Sequence, residues 1–188
     1  QKTIQITVTK KTQTISGSSS YRAVYGDESF AIDAAAQTGL SYTTSDADVA
    51  EVDQSGYVII NGAGTATITV TAAESDIYKS ASKTITVNIA KASQGIDVQP
   101  DFWFDLGDAP FYLDAKSETG QFRYSSSNTK IATVSTSGRV TIKNPGKAKI
   151  YITALSDSNY KSAKRTVYIS IGMKTPELSC KNKFKKIK

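Results

Sequence analysis

Polar and apolar residues alternate along Thr3-Ile4-Gln5-Ile6-Thr7-Val8, Ala66-Thr67-Ile68-Thr69-Val70-Thr71, Lys83-Thr84-Ile85-Thr86-Val87-Asn88-Ile89 and Lys149-Ile150-Tyr151-Ile152-Thr153. A period of two sends every second side chain to one face, so each run predicts a strand with one buried side. No segment sustains a competing helical stripe over three turns. Turn formers separate the runs: Gly17-Ser18-Ser19, Gly26-Asp27, Asn61-Gly62-Ala63-Gly64, Asn144-Pro145-Gly146 and Ser156-Asp157-Ser158-Asn159. Many short strands at even spacing predict an all-β sandwich or barrel.

The pattern occurs twice. Tyr42 to Ser45, Val49-Ala50-Glu51-Val52, Gly56, Val58, Gly64, Ala66, Ile68 and Thr71-Ala72 return 82 positions later. The second copy reads Tyr124 to Ser127, Ile131-Ala132-Thr133-Val134, Gly138, Val140, Gly146, Ala148, Ile150 and Thr153-Ala154. Upstream the offset is 81, and one inserted residue near Gln121 absorbs the difference. Two tandem domains are expected, at residues 11–90 and 91–172, joined like beads on a string. Residues 1–10 copy the last strand of a unit, which predicts either the end of a preceding repeat or a strand added to the first sandwich. Residues 173–188 read as the start of a further repeat or as a basic tail, and the whole as a stretch of a longer array.

Each unit of about 80 residues is large enough for a β-sandwich without disulfides. The inward positions predict a first core of Ile15, Phe30, Ile32, Tyr42, Val49, Val52, Val58, Ile60, Ile68, Val70, Ile85 and Val87. The second comprises Ile96, Phe111, Leu113, Tyr124, Ile131, Val134, Val140, Ile142, Ile150, Ile152, Val167 and Ile169. Gly64 and Gly146 each precede a strand, where a tight turn with positive φ is expected.

Composition narrows the chemistry. The chain has no His, which removes the commonest general base and zinc nitrogen ligand, and its single Cys permits no intrachain disulfide. No Gly-x-Ser-x-Gly elbow accompanies the many serines. No enzyme activity, catalytic residue, metal site or cofactor is expected. No apolar run approaches the roughly 20 residues that span a bilayer, and Gln1 does not open a signal peptide, so a soluble mature segment without membrane insertion is expected. The net charge is +6, but Lys181, Lys183, Lys185, Lys186 and Lys188 carry five of those charges. The two repeats are nearly neutral, which argues against a nucleic-acid partner and confines any anionic membrane contact to the tail.

The ordered motifs Tyr-x-x-Ser, Val/Ile-Ala-x-Val, Gly-x-Val, Gly-x-Ala-x-Ile and Thr-Ala, present in both repeats, resemble the bacterial immunoglobulin-like domain, group 2 (BIG2). The resemblance implies an Ig-like sandwich from an extracellular, cell-surface or secreted bacterial protein. Such modules act as stalks in adhesins and large extracellular enzymes, and the family brings no general catalytic motif.

Four features invite functional readings. Asp46, Asp48, Glu51 and Asp53 could supply oxygen ligands to Ca²⁺, yet they sit at turn and strand-flank positions, and the second repeat has Asn128, Lys130, Thr133 and Ser135 there. In Asp101-Phe102-Trp103-Phe104-Asp105, alternation predicts that if Phe102 and Phe104 face the core, Trp103 faces solvent or a neighbouring domain. Trp103 can stack on a sugar ring while Asp101 and Asp105 accept hydroxyl hydrogen bonds, or it can pack at the junction between the repeats. An isopeptide crosslink from Lys10 or Lys11 to Asn88 is conceivable, although the second repeat has Ser170 in the position of Asn88. Cys180 falls in the final segment, as an unpaired strand residue or a site of intermolecular oxidation. The expectation is a monomeric structural spacer whose partners are neighbouring Ig-like repeats. The alternative is an adhesin module binding a surface glycan or a host protein through Trp103 and adjacent loops.

Overall fold

The computed structural model describes residues 2–174, all strand and loop, with no helix. Cys180 and the lysine-rich end lie outside the described residues. The first repeat contributes β1 (Ser20–Val24), β2 (Phe30–Ala31), β3 (Leu40–Thr44), β4 (Ala50–Val52), β5 (Tyr57–Ile60), β6 (Gly64–Ala72) and β7 (Ala81–Ala90). The second contributes β8 (Asp101–Asp105), β9 (Phe111–Tyr112), β10 (Phe122–Ser126), β11 (Ala132–Val134), β12 (Arg139–Ile142), β13 (Gly146–Ala154) and β14 (Ala163–Gly172). Each set forms a four-stranded and a three-stranded sheet. The orders are β1-β7-β6-β3 with β2-β5-β4, and β8-β14-β13-β10 with β9-β12-β11.

The fold is therefore the expected pair of sandwiches. Register repeats with the topology: Thr67 pairs with Thr86 on the β6–β7 ladder, and Lys149 pairs with Tyr168 on β13–β14. In both units the first strand pairs with the last in parallel, β1 with β7 and β8 with β14, over five residues each. The remaining strand pairs are antiparallel. The described residues divide into two compact units, one running through Gln94 with Ser156–Lys161, the other Gly95–Leu155 with those from Ser162 onward.

Each core lies between its two sheets, where alternation puts Ile68, Val70, Ile85 and Val87 of one unit and Ile150, Ile152, Val167 and Ile169 of the other fully out of water. Both expected core sets are found packed together. Small residues complete them: Ala50, Ala66 and Ala72, and Ala132, Ala148 and Ala154, are buried too. Burying each large aliphatic side chain stabilises by about 1.5–3 kcal/mol, so these repeated inward positions dominate the fold.

Two expectations change. Gly146 has a φ of 136°, but Gly64 stays outside the left-handed region. What the two share is close packing: a Cβ on Gly64 would lie 2.7 Å from Val49 Cγ2, and one on Gly146 would lie 2.7 Å from Ile131 Cδ1. At Gly64 an added side chain would press on the stiff, branched Val49, whereas at Gly146 the positive φ favours glycine and the contact is with the movable end of Ile131.

The second change concerns residues 2–10, which form no strand and add to neither sheet of the first sandwich. Ile4, Ile6 and Val8 are more than 80% exposed. Alternation creates a face that a strand can bury, but a ladder needs a partner, and none of the described strands supplies one. This segment is tied at its end, where Lys10 Nζ donates to Glu74 Oε1 at 2.5 Å.

Candidate binding face of the second sandwich

The chain's most aromatic strand, β8, is oriented by its two phenylalanines. Phe102 and Phe104 turn inward against Phe111, with ring centroids 4.9 and 4.3 Å away. Strand parity then sends Trp103 outward with Asp101 and Asp105, and the indole is 75% exposed. Trp103 pairs with Ser170 on β14, and Asp101 pairs with Tyr168. On the next strand, Lys147 lies opposite Ser170 and Lys149 opposite Tyr168.

Trp103, Tyr168, Lys147, Lys149 and Tyr151 thus share one outer sheet face. Two shallow clefts meet at Trp103. One, of about 580 Å³, is bordered by Asp105, Asp108, Lys147 and Gly172; the other, of about 450 Å³, by Asp101, Ser127, Lys149 and Tyr168. The Lys149 ammonium lies 5.6 Å from the centre of the Tyr168 ring, a cation–π contact. Asp108 Oδ2 accepts the Asp105 backbone N–H at 2.9 Å and closes the turn after β8. Among the described residues, the carboxylates of Asp101 and Asp105 have no ion-pair partner. Sequence reasoning singled out Trp103, Asp101 and Asp105 but missed Tyr168, Lys147 and Lys149. Their signal was available as outward positions where the second repeat departs from threonine.

The acidic run of the first repeat behaves differently. Asp46 Oδ1 accepts the Asp48 N–H, and Asp53 Oδ1 accepts from Ser55 N, Ser55 Oγ and Tyr57 N. The Ser55 hydroxyl and these N–H groups hold the Asp53 carboxyl below its ordinary range. These acids close turns, and among the described residues no three acidic or sulfur side chains gather as a metal site. Of the residues considered for a crosslink, Lys10 pairs with Glu74, and Asn88 Oδ1 accepts from Thr65 Oγ1 at 2.8 Å.

A further polar cluster distinguishes the first unit. The Tyr21 hydroxyl donates to Asp33 Oδ1, and Ser18 donates to both Asp33 oxygens, from N at 2.9 Å and from Oγ at 3.0 Å. The tyrosine hydrogen bond, followed by the Ser18 N–H, lowers the Asp33 carboxyl to a pKa of about 2. Burial raises that of Tyr21, and the neighbouring carboxylate adds to the effect. The second unit has Phe102 in place of Tyr21 and cannot form this bond.

Fold and register define a tandem of Ig-like β-sandwiches. The particular families follow from sequence: residues 112–167 match the bacterial Ig-like domain (group 2), and residues 33–74 match the intimin immunoglobulin-like domain. A segment of each repeat thus matches a model of bacterial Ig-like domains, families typical of surface proteins and generally without catalysis. The BIG2 resemblance is found in the second repeat, while the first matches the intimin variety.

Similar solved structures include Drosophila N-cadherin EC1-4, at 14% identity and a TM-score of 0.38, covering 86% of this chain and 50% of that one. Domains 1–6 of surface layer protein SbsC match at 22% identity and a TM-score of 0.36, covering 73% of this chain and 20% of that one. A SusE-like surface-located polysaccharide-binding protein from Bacteroides thetaiotaomicron matches at 16% identity and a TM-score of 0.31, covering 86% of this chain and 34% of that one. This chain therefore spans half, or less, of these structures. No curated protein sequence matches it.

Proposed function

We propose that the two sandwiches are mechanical spacers of a bacterial cell-surface or secreted protein, holding adhesive or catalytic domains away from the cell. The observation that carries this reading is the parallel pairing of first and last strands in each unit. Because β1 and β7 run in the same direction, the chain enters a sandwich at one end and leaves it at the other. A pull on the two ends loads the β1–β7 ladder along its length, so its bonds resist together in shear instead of opening one by one. The arrangement suits a monomeric module strung between neighbours. Residues 2–10, which repeat the apolar spacing of Ile85, Val87 and Ile89, fit the closing strand of a preceding unit.

Single-molecule pulling on the whole chain tests the reading. Two separate ruptures are expected, each releasing roughly 25 nm of chain, the extended length of about 80 residues less the folded span. Gradual lengthening without ruptures, or one rupture releasing both units together, would overturn it.

A further inference from the structure

The outer face of the second sandwich carries a chemistry that a spacer does not need. An indole left 75% exposed forfeits much of the stabilisation that burial would give it. Packing explains Phe102 and Phe104 but not Trp103, because the inward parity of its neighbours is satisfied by any outward residue. The first sandwich makes the point with Arg22 in the same place. Around Trp103 the two clefts bring a flat apolar ring together with acceptors on Asp101 and Asp105 and donors on Lys147 and Ser170.

We infer that this face binds a neutral polysaccharide, with a pyranose ring stacked on Trp103 and the chain continuing across both clefts toward Tyr168. A sugar ring has an apolar C–H face and a rim of hydroxyls, matching an aromatic plane bordered by carboxylates and ammonium groups. The charge balance selects the class of ligand. Asp101, Asp105 and Asp108 oppose Lys147 and Lys149 around the ring, so an uncharged polymer meets no net repulsion and a polyanion meets three carboxylates. The openness of both clefts admits the interior of a long chain as readily as its end. Tyr168 lies one diagonal step from Trp103 on the same face, across the β14–β8 ladder, with the Lys149 ammonium beside its ring. This inference stands apart from the spacer proposal, since a face can bind whether or not the sandwich carries load.

Trp103 is the only tryptophan in the chain, so indole emission reports this site alone. The whole chain is titrated with three neutral polymers, galactomannan, xyloglucan and laminarin, and with two acidic ones, heparin and polygalacturonate, by fluorescence and calorimetry. At least one neutral polymer is expected to bind and shift the emission to shorter wavelength. In calorimetry, Trp103→Ala should weaken that binding roughly tenfold or more and Tyr168→Ala by a smaller factor. Trp103→Phe, which keeps an aromatic plane, should recover part of the affinity, and all three variants should melt like the parent. Failure of every neutral polymer to bind, binding confined to the acidic polymers, or binding unaffected by Trp103→Ala would overturn the inference.

Discussion

Along β6 the outward side chains are Thr65, Thr67 and Thr69; at the same register on β13 they are Lys147, Lys149 and Tyr151. On the neighbouring strand Thr86 and Asn88 are replaced by Tyr168 and Ser170, and on the edge strand Arg22 is replaced by Trp103. The inward positions between them scarcely change: Ala66, Ile68 and Val70 correspond to Ala148, Ile150 and Ile152, all buried. One side of each strand is held by packing, where a change of volume is felt at once. The other side, wetted by solvent, accepts threonine or tryptophan with little effect on the fold. A repeated core and a divergent face are the separation a module needs if it is to be copied as a spacer and then adapted for binding.

The comparison can be broken most forcefully in the cores. Ile68→Ala and Ile150→Ala should each cost about 2–5 kcal/mol in chemical denaturation, and a large inequality between them would show that the cores are not equivalent. Next come the glycines. Gly64→Val and Gly146→Val should cost on the order of 1–3 kcal/mol, more at Gly146, where a left-handed backbone adds to the clash with Ile131. If Gly64→Val were the costlier, crowding by Val49 would outweigh backbone strain.

Acid should separate the units more gently. The Asp33 carboxyl titrates at about 2 in the folded chain against an ordinary 3.8. A lowered folded value means a contribution present above the ordinary pKa and lost as pH falls from about 3.8 through about 2. Tyr21→Phe should remove its largest single part, leaving the first unit's melting temperature less dependent on pH in that window while the second unit is unchanged. Smallest of all, Trp103→Ala should alter stability by no more than about 0.5 kcal/mol, because the side chain lies on the surface. A larger loss would make Trp103 a packing residue.

Alternation and the 82-residue offset made the inward residues legible, because a strand's period of two and a repeated register follow from backbone geometry alone. The buried alanines were harder to see: Ala66 and Ala148 are almost wholly out of water, and a methyl group adds little to the apolar pattern that marks an inward position. Gly64 was expected in a positive-φ turn, but it opens β6 with an ordinary backbone, and what singles it out is the approach of Val49. Residues 2–10 have a strand's pattern without a partner ladder, and pairing is a property of the whole sheet. Trp103, Asp101 and Asp105 stood out through their unusual run, whereas Tyr168 and Lys149 come from strands distant in sequence and join them only through the β8–β14–β13 register.

The separability of core and face is tested most directly by moving the face. In a whole chain carrying Trp103→Ala, the substitutions Ser20→Asp, Arg22→Trp, Val24→Asp, Thr65→Lys, Thr67→Lys and Thr86→Tyr would rebuild the second unit's surface on the first. The measurement is the emission shift of the relocated indole on titration with whichever neutral polysaccharide the parent chain binds, read beside the melting curve. The predicted result is unchanged melting together with a restored shift. Loss of the first unit's fold, or an intact fold with no shift, would contradict the claim that these sandwiches keep stability on one side of their strands and recognition on the other.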